Sequence, residues 1–254
     1  MWTSRPAQNK FIQSTQPARP RADTPAMWNW IFRPQCAACT APSAPFCEPC
    51  STLLVELGPA CARCAEPLEQ PPDPDDKPIT CARCVRGPLP LDRIVSPWQF
   101  AGPIASAIRR LKFTGASHIA RSVAPMWAPL VAAAASDSIV VPVPLHWRRR
   151  WQRGYDHAWL LAFYACNFAG LPSPIPALRR TQPGPAQSTL TAAARQHNVR
   201  GAFAVPKPKL VTGRSVVLID DVATTGATLA AAARALRAAG ATSVIGVTLA
   251  RAAS

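Results

Sequence analysis

Apolar residues recur along this chain with two periods. From residue 91 onward, short apolar runs alternate with stretches at helical spacing, the pattern of strands joined by helices around a mostly parallel sheet. Residues 94–100 read as a strand. Residues 103–113 place Ile104, Ala107, Ile108 and Leu111 three or four apart, which predicts a helix that turns Arg109, Arg110 and Lys112 outward. A strand over 139–143 runs into Pro144, and a helix over 156–168 has Asp156 as its N-cap. A helical turn at 191–198 and a short strand at 202–205 precede the continuous apolar strand 216–219, of the kind covered on both faces. An Ala-rich helix over 228–239 stops at Gly240, and a strand over 243–249 closes the sheet. The longest run without charge or strong polarity, 123–135, is far short of the ~20 apolar residues of a membrane-spanning helix, so a soluble protein with no membrane span is expected.

Three segments emerge. Residues 1–26 lack periodicity and read as a disordered arm, 27–90 hold a cysteine-rich module with a Pro/Asp-rich loop at 70–78, and 91–254 form the α/β domain. The expected fold class is therefore α/β: an open, mostly parallel sheet with helices on both faces, preceded by a small zinc-ribbon module. Composition narrows this further. With 48% hydrophobic and 16% charged residues, wholesale disorder is excluded, and 29 prolines argue against a helical bundle.

Charge is divided unevenly. Residues 1–92 hold nine basic and nine acidic residues, whereas 93–254 hold nineteen basic ones against Asp137, Asp156, Asp220 and Asp221. The whole formal excess of +15 therefore lies on the α/β domain. Such a domain attracts polyanions, and phosphorylated metabolites and nucleic acid are the two candidate partners.

Eight of the nine cysteines form four C-x-x-C pairs: Cys36/Cys39, Cys47/Cys50, Cys61/Cys64 and Cys81/Cys84. No secretory signal is read ahead of them, so a reducing, cytoplasmic compartment is expected and disulfides are disfavoured. Four thiolates complete one tetrahedral zinc shell, so four pairs predict two structural Zn²⁺ ions, with no histidine before residue 93 to compete. Seven residues separate the first two pairs and sixteen the last two; pairing in chain order and a crossed arrangement are both compatible with these spacings. A redox site would need one pair at a helix start after a strand, not four in a row. Cys166, within an apolar helix, reads as a buried small hydrophobe.

The most specific stretch is VVLIDDVATTGAT, residues 216–228. A buried strand leads into Asp220 and Asp221, then into a turn of Ala223, Thr224, Thr225 and Gly226, then into a helix whose first N–H groups suit a phosphate. Thr224, Thr225 and Thr228 add hydroxyl donors. Two adjacent carboxylates repel a bare phosphate but suit a ligand that also carries vicinal hydroxyls or Mg²⁺, which favours a sugar phosphate. No Walker-type loop occurs. These thirteen residues resemble the phosphoribosyl-pyrophosphate (PRPP) motif of type I phosphoribosyltransferases, in which the acids contact the ribose hydroxyls and the turn wraps the 5′-phosphate.

The resemblance extends along most of the chain. The segment VPVPLHWRRRWQRGYDHAWLLA (141–162), Gln187 with Leu190, RQHNVRGAF (195–203) and the cysteine module together are similar to the ComF family of competence-associated, phosphoribosyltransferase-like proteins. The family commonly has Asn-Gln where this chain has Asp156 and His157. The resemblance implies PRPP with Mg²⁺ at Asp220, Asp221 and the turn. It assigns pyrophosphate or DNA contacts to the Arg/Trp-dense loop 146–155, with Arg149 and Arg153 the best matches beside Arg148, and Lys112 adds a second basic strip. Residues 181–189, beside Arg195 and Arg200, form a candidate lid. Of the four histidines, none at metal-ligand spacing, His157 alone is a candidate acid/base. The implied function is the handling of single-stranded DNA during natural transformation, with partners in the DNA-uptake machinery. The alternatives are an active phosphoribosyltransferase acting on a nitrogenous base and a non-catalytic PRPP sensor.

Overall fold

A computed structural model describes residues 34–68, 78–87, 89–146, 151–181 and 201–253. The arm expected at 1–26, the helical turn at 191–198 and most of the candidate lid lie outside the described residues. Residues Pro34–Ser254 form one compact unit.

The framework is a parallel sheet. Strands β1 (Arg93–Val95) and β2 (Trp98–Gln99) flank one side of the last strand, β7 (Ser243–Arg251). Next to β7 lies β6 (Ser215–Ala223), and beyond it β3 (Ser138–Pro142), with Val216 opposite both Val244 and Ile139. Every pairing in this sheet is parallel. The single strand expected at 94–100 is split at Ser96-Pro97, where proline offers no ladder donor. A small antiparallel pair, β4 (Arg179–Arg180) with β5 (Phe203–Ala204), stands apart; β4 carries no apolar run that would mark it in the sequence.

Helices cover both faces, as the alternating pattern demands. On one face α3 (Gly102–Phe113), α4 (His118–Ala134) and α5 (His157–Ala169) pack Ile104, Ile108, Leu111, Trp127 and Leu161 against Val217, Ile219, Val247 and Leu249. On the other, α6 (Ala227–Ala238) packs Leu229 and Leu236 against Val216, Leu218 and Val244. The helix α4 contains Pro125 and Pro129, so its sequence shows an apolar run rather than a helical pattern. Both prolines are exposed, so the carbonyls that lose their amide partners meet water. Cys166 is buried in the first of these clusters.

The cysteine module carries two one-turn helices, α1 (Glu48–Ser51) and α2 (Ala82–Arg86). Cys36, Ala37 and Phe46 join the core beneath α3 and α4, while Leu57 and Ala65 join the core on the α6 side. Among the described residues no helix is long and apolar enough to cross a membrane.

Candidate functional site

The loop after β6 is built by three local choices. Burial along β6 carries an apolar ladder up to Ile219 and leaves Asp220 and Asp221 at its carboxyl end, where ligands of open α/β sheets sit. Gly226 then adopts φ +74°, a left-handed conformation that a side chain resists. A β-carbon there would stand 3.2 Å from Ile94 Cδ1 and 3.4 Å from Leu89 Cδ1. Gly226 is the N-cap of the twelve-residue α6 and supplies no side-chain acceptor, so the first-turn amides of α6 face the bend. Thr224 is exposed, Thr225 and Thr228 are half-buried, Ala223 is buried, and Thr225 Oγ1 accepts from the Ala227 amide at 3.3 Å.

The two acids differ. Asp221 is buried and turns toward α3 and α5, with Lys112 Nζ at 2.8 Å from Oδ1 and His157 Nε2 at 2.6 Å from Oδ2. The second contact is close but off the axis of a linear hydrogen bond, which leaves Oδ2 without a well-aligned donor. Burial opposes ionisation of Asp221, yet His157 and Lys112 outweigh it and hold the carboxyl well below its usual range. Asp220 is more open, and its Oδ1 accepts from the Asp221 amide at 2.9 Å. Burial, followed by the charge of Asp221, pushes Asp220 up to about 7. One carboxylate is thus locked as an anion while its neighbour is poised to exchange a proton.

His157 belongs to this constellation. One ligand atom from each of His157, Asp220 and Asp221 lies within 4.8 Å of the others. Arg153 Nη1 stands 3.3 Å from His157 Nδ1. A guanidinium only donates, so Nδ1 accepts and the ring proton sits on Nε2, toward Asp221. His157 is isolated in sequence; what brings it here is the cap of α5, where Asp156 Oδ1 accepts from Ala158 at 3.1 Å and Trp159 at 3.2 Å. The other Asp156 oxygen accepts from the Leu145 amide at 3.0 Å, fixing the end of β3 to the start of α5.

The basic residues divide. Arg153 is half-buried and also lies over the Phe113 ring at 5.0 Å, whereas Arg148 and Arg149 are outside the described residues. The outward strip expected on α3 is corrected: only Arg109 faces solvent, over Phe100 at 5.5 Å. Arg110 donates to the Cys36 and Ala37 carbonyls at 2.9 and 2.8 Å, and Lys112 is turned to Asp221. Buried acceptors across the layer outweigh the solvent that helical spacing alone assigns to these two side chains.

Sequence reasoning missed Arg251. Fully buried at the end of β7, it donates Nε to the Cys64 carbonyl at 3.0 Å and Nη1 to the Ala223 carbonyl at 3.0 Å. It also contacts the Thr224 and Ala252 carbonyls and the Glu66 carboxylate. The available signal was a lone arginine closing an otherwise apolar strand.

The cysteines gather in chain order. Cys36, Cys39, Cys47 and Cys50 form one cluster and Cys61, Cys64, Cys81 and Cys84 the other, each with all four sulfurs within 4.8 Å. The Cys39–Cys47 and Cys64–Cys81 sulfurs are 3.5 and 3.6 Å apart, close to the ~3.8 Å edge of a tetrahedron with zinc–sulfur bonds of ~2.3 Å. The crossed pairing is therefore not adopted. Although burial opposes it, the amides of Cys39, Cys47 and Ala38 bring the Cys36 thiol down to about 6. In the second cluster, against the same opposition, the amides of Cys81, Cys64 and Arg63 lower Cys61 to about 7. Conversely, a hydrogen bond with Cys47, then burial, drive Cys50 up to about 12, and the negative charge of an ionised Cys36 adds to this; a divalent ion offsets the crowding of thiolate charge. Both clusters thus fit a tetrahedral metal ion.

Residues 177–254 match the family model described as a phosphoribosyl transferase domain. The chain is 31% identical to the DNA utilization protein YhgH of Salmonella typhimurium over 204 residues, 78% of this chain and 86% of that protein. It is 30% identical to competence protein F of Haemophilus influenzae over 164 residues, 62% of this chain and 72% of the relative. The chain belongs to the ComF family. Among solved structures, the allosteric regulatory enzyme of purine biosynthesis aligns with a TM-score of 0.32 at 21% identity, over 50% of this chain and 25% of that one. ComF membership and the domain match agree with the fold: a parallel sheet whose acid pair and glycine bend lie inside the matched span, and two four-cysteine clusters ahead of it.

Proposed function

We propose that this ComF protein binds PRPP or a closely related sugar phosphate at residues 220–228 and handles single-stranded DNA in the cytoplasm during DNA uptake. One observation carries the first half: a buried strand delivers two carboxylates to the start of a helix whose N-cap is a left-handed glycine. The amides behind Gly226 and the hydroxyls of Thr224, Thr225 and Thr228 take the 5′-phosphate, and Asp220 accepts from the ribose hydroxyls. Asp221 orients Lys112 and His157 beside them. Arg148, Arg149 and Arg153 complement the charge of the pyrophosphate group, and a Mg²⁺ ion, when bound, would neutralise more of it. Structural zinc in the two cysteine clusters holds the loops around them. The relatives' names and the +15 charge support the nucleic-acid half, and partner proteins of the uptake machinery are part of the same proposal.

A second reading has support in the acid pair itself. A nitrogen lone pair of an acceptor base attacks the anomeric carbon, the bond from that carbon to the pyrophosphate oxygen breaks, and the pyrophosphate carries off the electron pair. Asp220, shifted to about 7, stands ready to take the proton released by the base.

The test is calorimetry of the full chain with PRPP and Mg²⁺, beside pyrophosphate release across bases and a salt-dependent titration of single-stranded DNA. Binding without release is expected if the protein is a handler or sensor; release with one base makes it a transferase. No heat with PRPP removes the sugar-phosphate half.

A further inference from the structure

A groove lies past the carboxyl end of β3, walled by the start of α5 and by the segment 176–181. It has two adjoining compartments of about 410 and 480 Å³, which share Pro144, Asp156 and Leu178 as walls. Each compartment falls within the ~300–1,000 Å³ range of ligand sites. Tyr155, Trp159 and Leu160 line the larger one with apolar and aromatic surface. The smaller one ends in Arg179, Arg180 and Thr181.

We propose that this groove seats single-stranded nucleic acid, with a base against Trp159 and the adjoining phosphate on Arg179. The inference rests on the nucleic-acid half of the function proposed above and gives it a site.

Three observations lead there. Trp159 and Tyr155 are only half-buried, and an indole open to a groove offers a face to any planar ring. Arg179 is exposed and Arg180 stacks over Phe203 at 5.3 Å, so the cationic end is rigid on one side and accessible on the other. Asp156 is the carboxylate in the groove, and three amide donors from Leu145, Ala158 and Trp159 absorb its charge. Charge complementarity is domain-wide. Of the four acids beyond residue 92, Asp156 and Asp221 are spent on internal partners, Asp220 accepts from a backbone amide, and Asp137 alone is exposed. A single strand is favoured over a duplex because stacked, paired bases cannot present a face to Trp159. The Asp221 pairing removes Lys112 from the basic surface expected to bind DNA.

The test uses the full chain, a labelled oligothymidylate and anisotropy across a salt series. Trp159→Leu should weaken binding about ten-fold with the salt slope unchanged, because stacking releases no counterions. Arg179→Ser should lower that slope by about one. Arg121→Ser, which removes the same charge from the exposed face of α4, should leave affinity within about two-fold. Circular dichroism melts establish that each variant is folded. Wild-type affinity in a folded Trp159→Leu protein overturns the groove and leaves the proposed function standing. Failure of the wild type to bind any strand removes the nucleic-acid half of that function and the groove's occupant with it. Binding of thymidine 5′-monophosphate alone, lost in Trp159→Leu, would make the groove a free-nucleotide site and overturn the strand.

Discussion

Asp220 and Asp221 are neighbours with opposite chemistry, and their pH dependence separates them. Asp220 is pushed up to about 7 by burial and by Asp221, despite His157 and Lys112 nearby, whereas an unfolded Asp titrates near ~3.9. Below pH ~4 both states keep this proton; as pH rises toward 7 the unfolded chain gives it up first, so stability from this group is lost over that window. Asp220→Asn should therefore melt above the wild type at pH 8, with the two curves converging near pH 4. Asp221 has the reverse sign: its lowered folded value makes it stabilising above the ordinary carboxylate range, and that contribution fades as pH falls through its folded value. Asp221→Asn leaves Lys112 and His157 facing a neutral amide, at a cost of about 2–4 kcal/mol at pH 7, read as a lower denaturant midpoint. Similar losses from the two substitutions would show that the carboxylates are not distinguished as described. Gly226→Ala adds left-handed strain and a contact at 3.2 Å with Ile94 Cδ1, so about 1–2 kcal/mol should go, with weaker sugar-phosphate binding in calorimetry.

Helix α5 joins sequence logic to site geometry. Its N-cap was legible because Asp156 stands just ahead of an apolar helical run, and the three amides that the side chain accepts account for its identity. Asp156→Ala should cost about 2 kcal/mol and, by loosening the first turn, shift His157 away from Asp221. Thermal melts read the first effect and the chemical shifts of the His157 ring at a single pH the second; ring shifts identical to the wild type would contradict the positioning role. The acid pair, the glycine bend and the four cysteine pairs were legible for the same reason: each is a local pattern with a local cause. What escaped the sequence depends on contacts distant along the chain. Helical spacing alone turns Lys112 and Arg110 outward, because it carries no information about Asp221 or the Cys36 carbonyl. Prolines hid α4, since a one-dimensional pattern does not show that Pro125 and Pro129 both face water. The pairing order of the cysteines was open until the folded chain brought Cys39 beside Cys47 and Cys64 beside Cys81.

Across the whole molecule, the second cysteine cluster acts as a footing for the loop 223–226, the proposed sugar-phosphate site. Arg251 spans the two, donating to the Cys64 carbonyl on one side and to the Ala223 and Thr224 carbonyls on the other, with Glu66 balancing its charge. Leu89 provides an apolar route, packing on the buried sulfurs of this cluster and standing under Gly226. Among the described residues the first cluster shows no such path; Arg110 ties it to α3, and Cys36 and Phe46 pack into the core there. Loss of metal from the two clusters should therefore have unequal consequences. Cys84→Ser should release one equivalent of zinc and weaken sugar-phosphate binding several-fold, because the Cys64 carbonyl and Leu89 shift and take the loop with them. Cys50→Ser should release one equivalent and lower the melting temperature, while the affinity of the protein that remains folded stays near the wild-type value. Arg251→Met should reproduce the affinity loss with both metals retained, which separates the arginine route from metal loss itself. Zinc content, melting temperature and calorimetry at a temperature below every transition measure the three quantities independently. Wild-type affinity in both cysteine variants would mean that the clusters serve stability alone, and equal loss in both would overturn the separate route through Arg251 and Leu89.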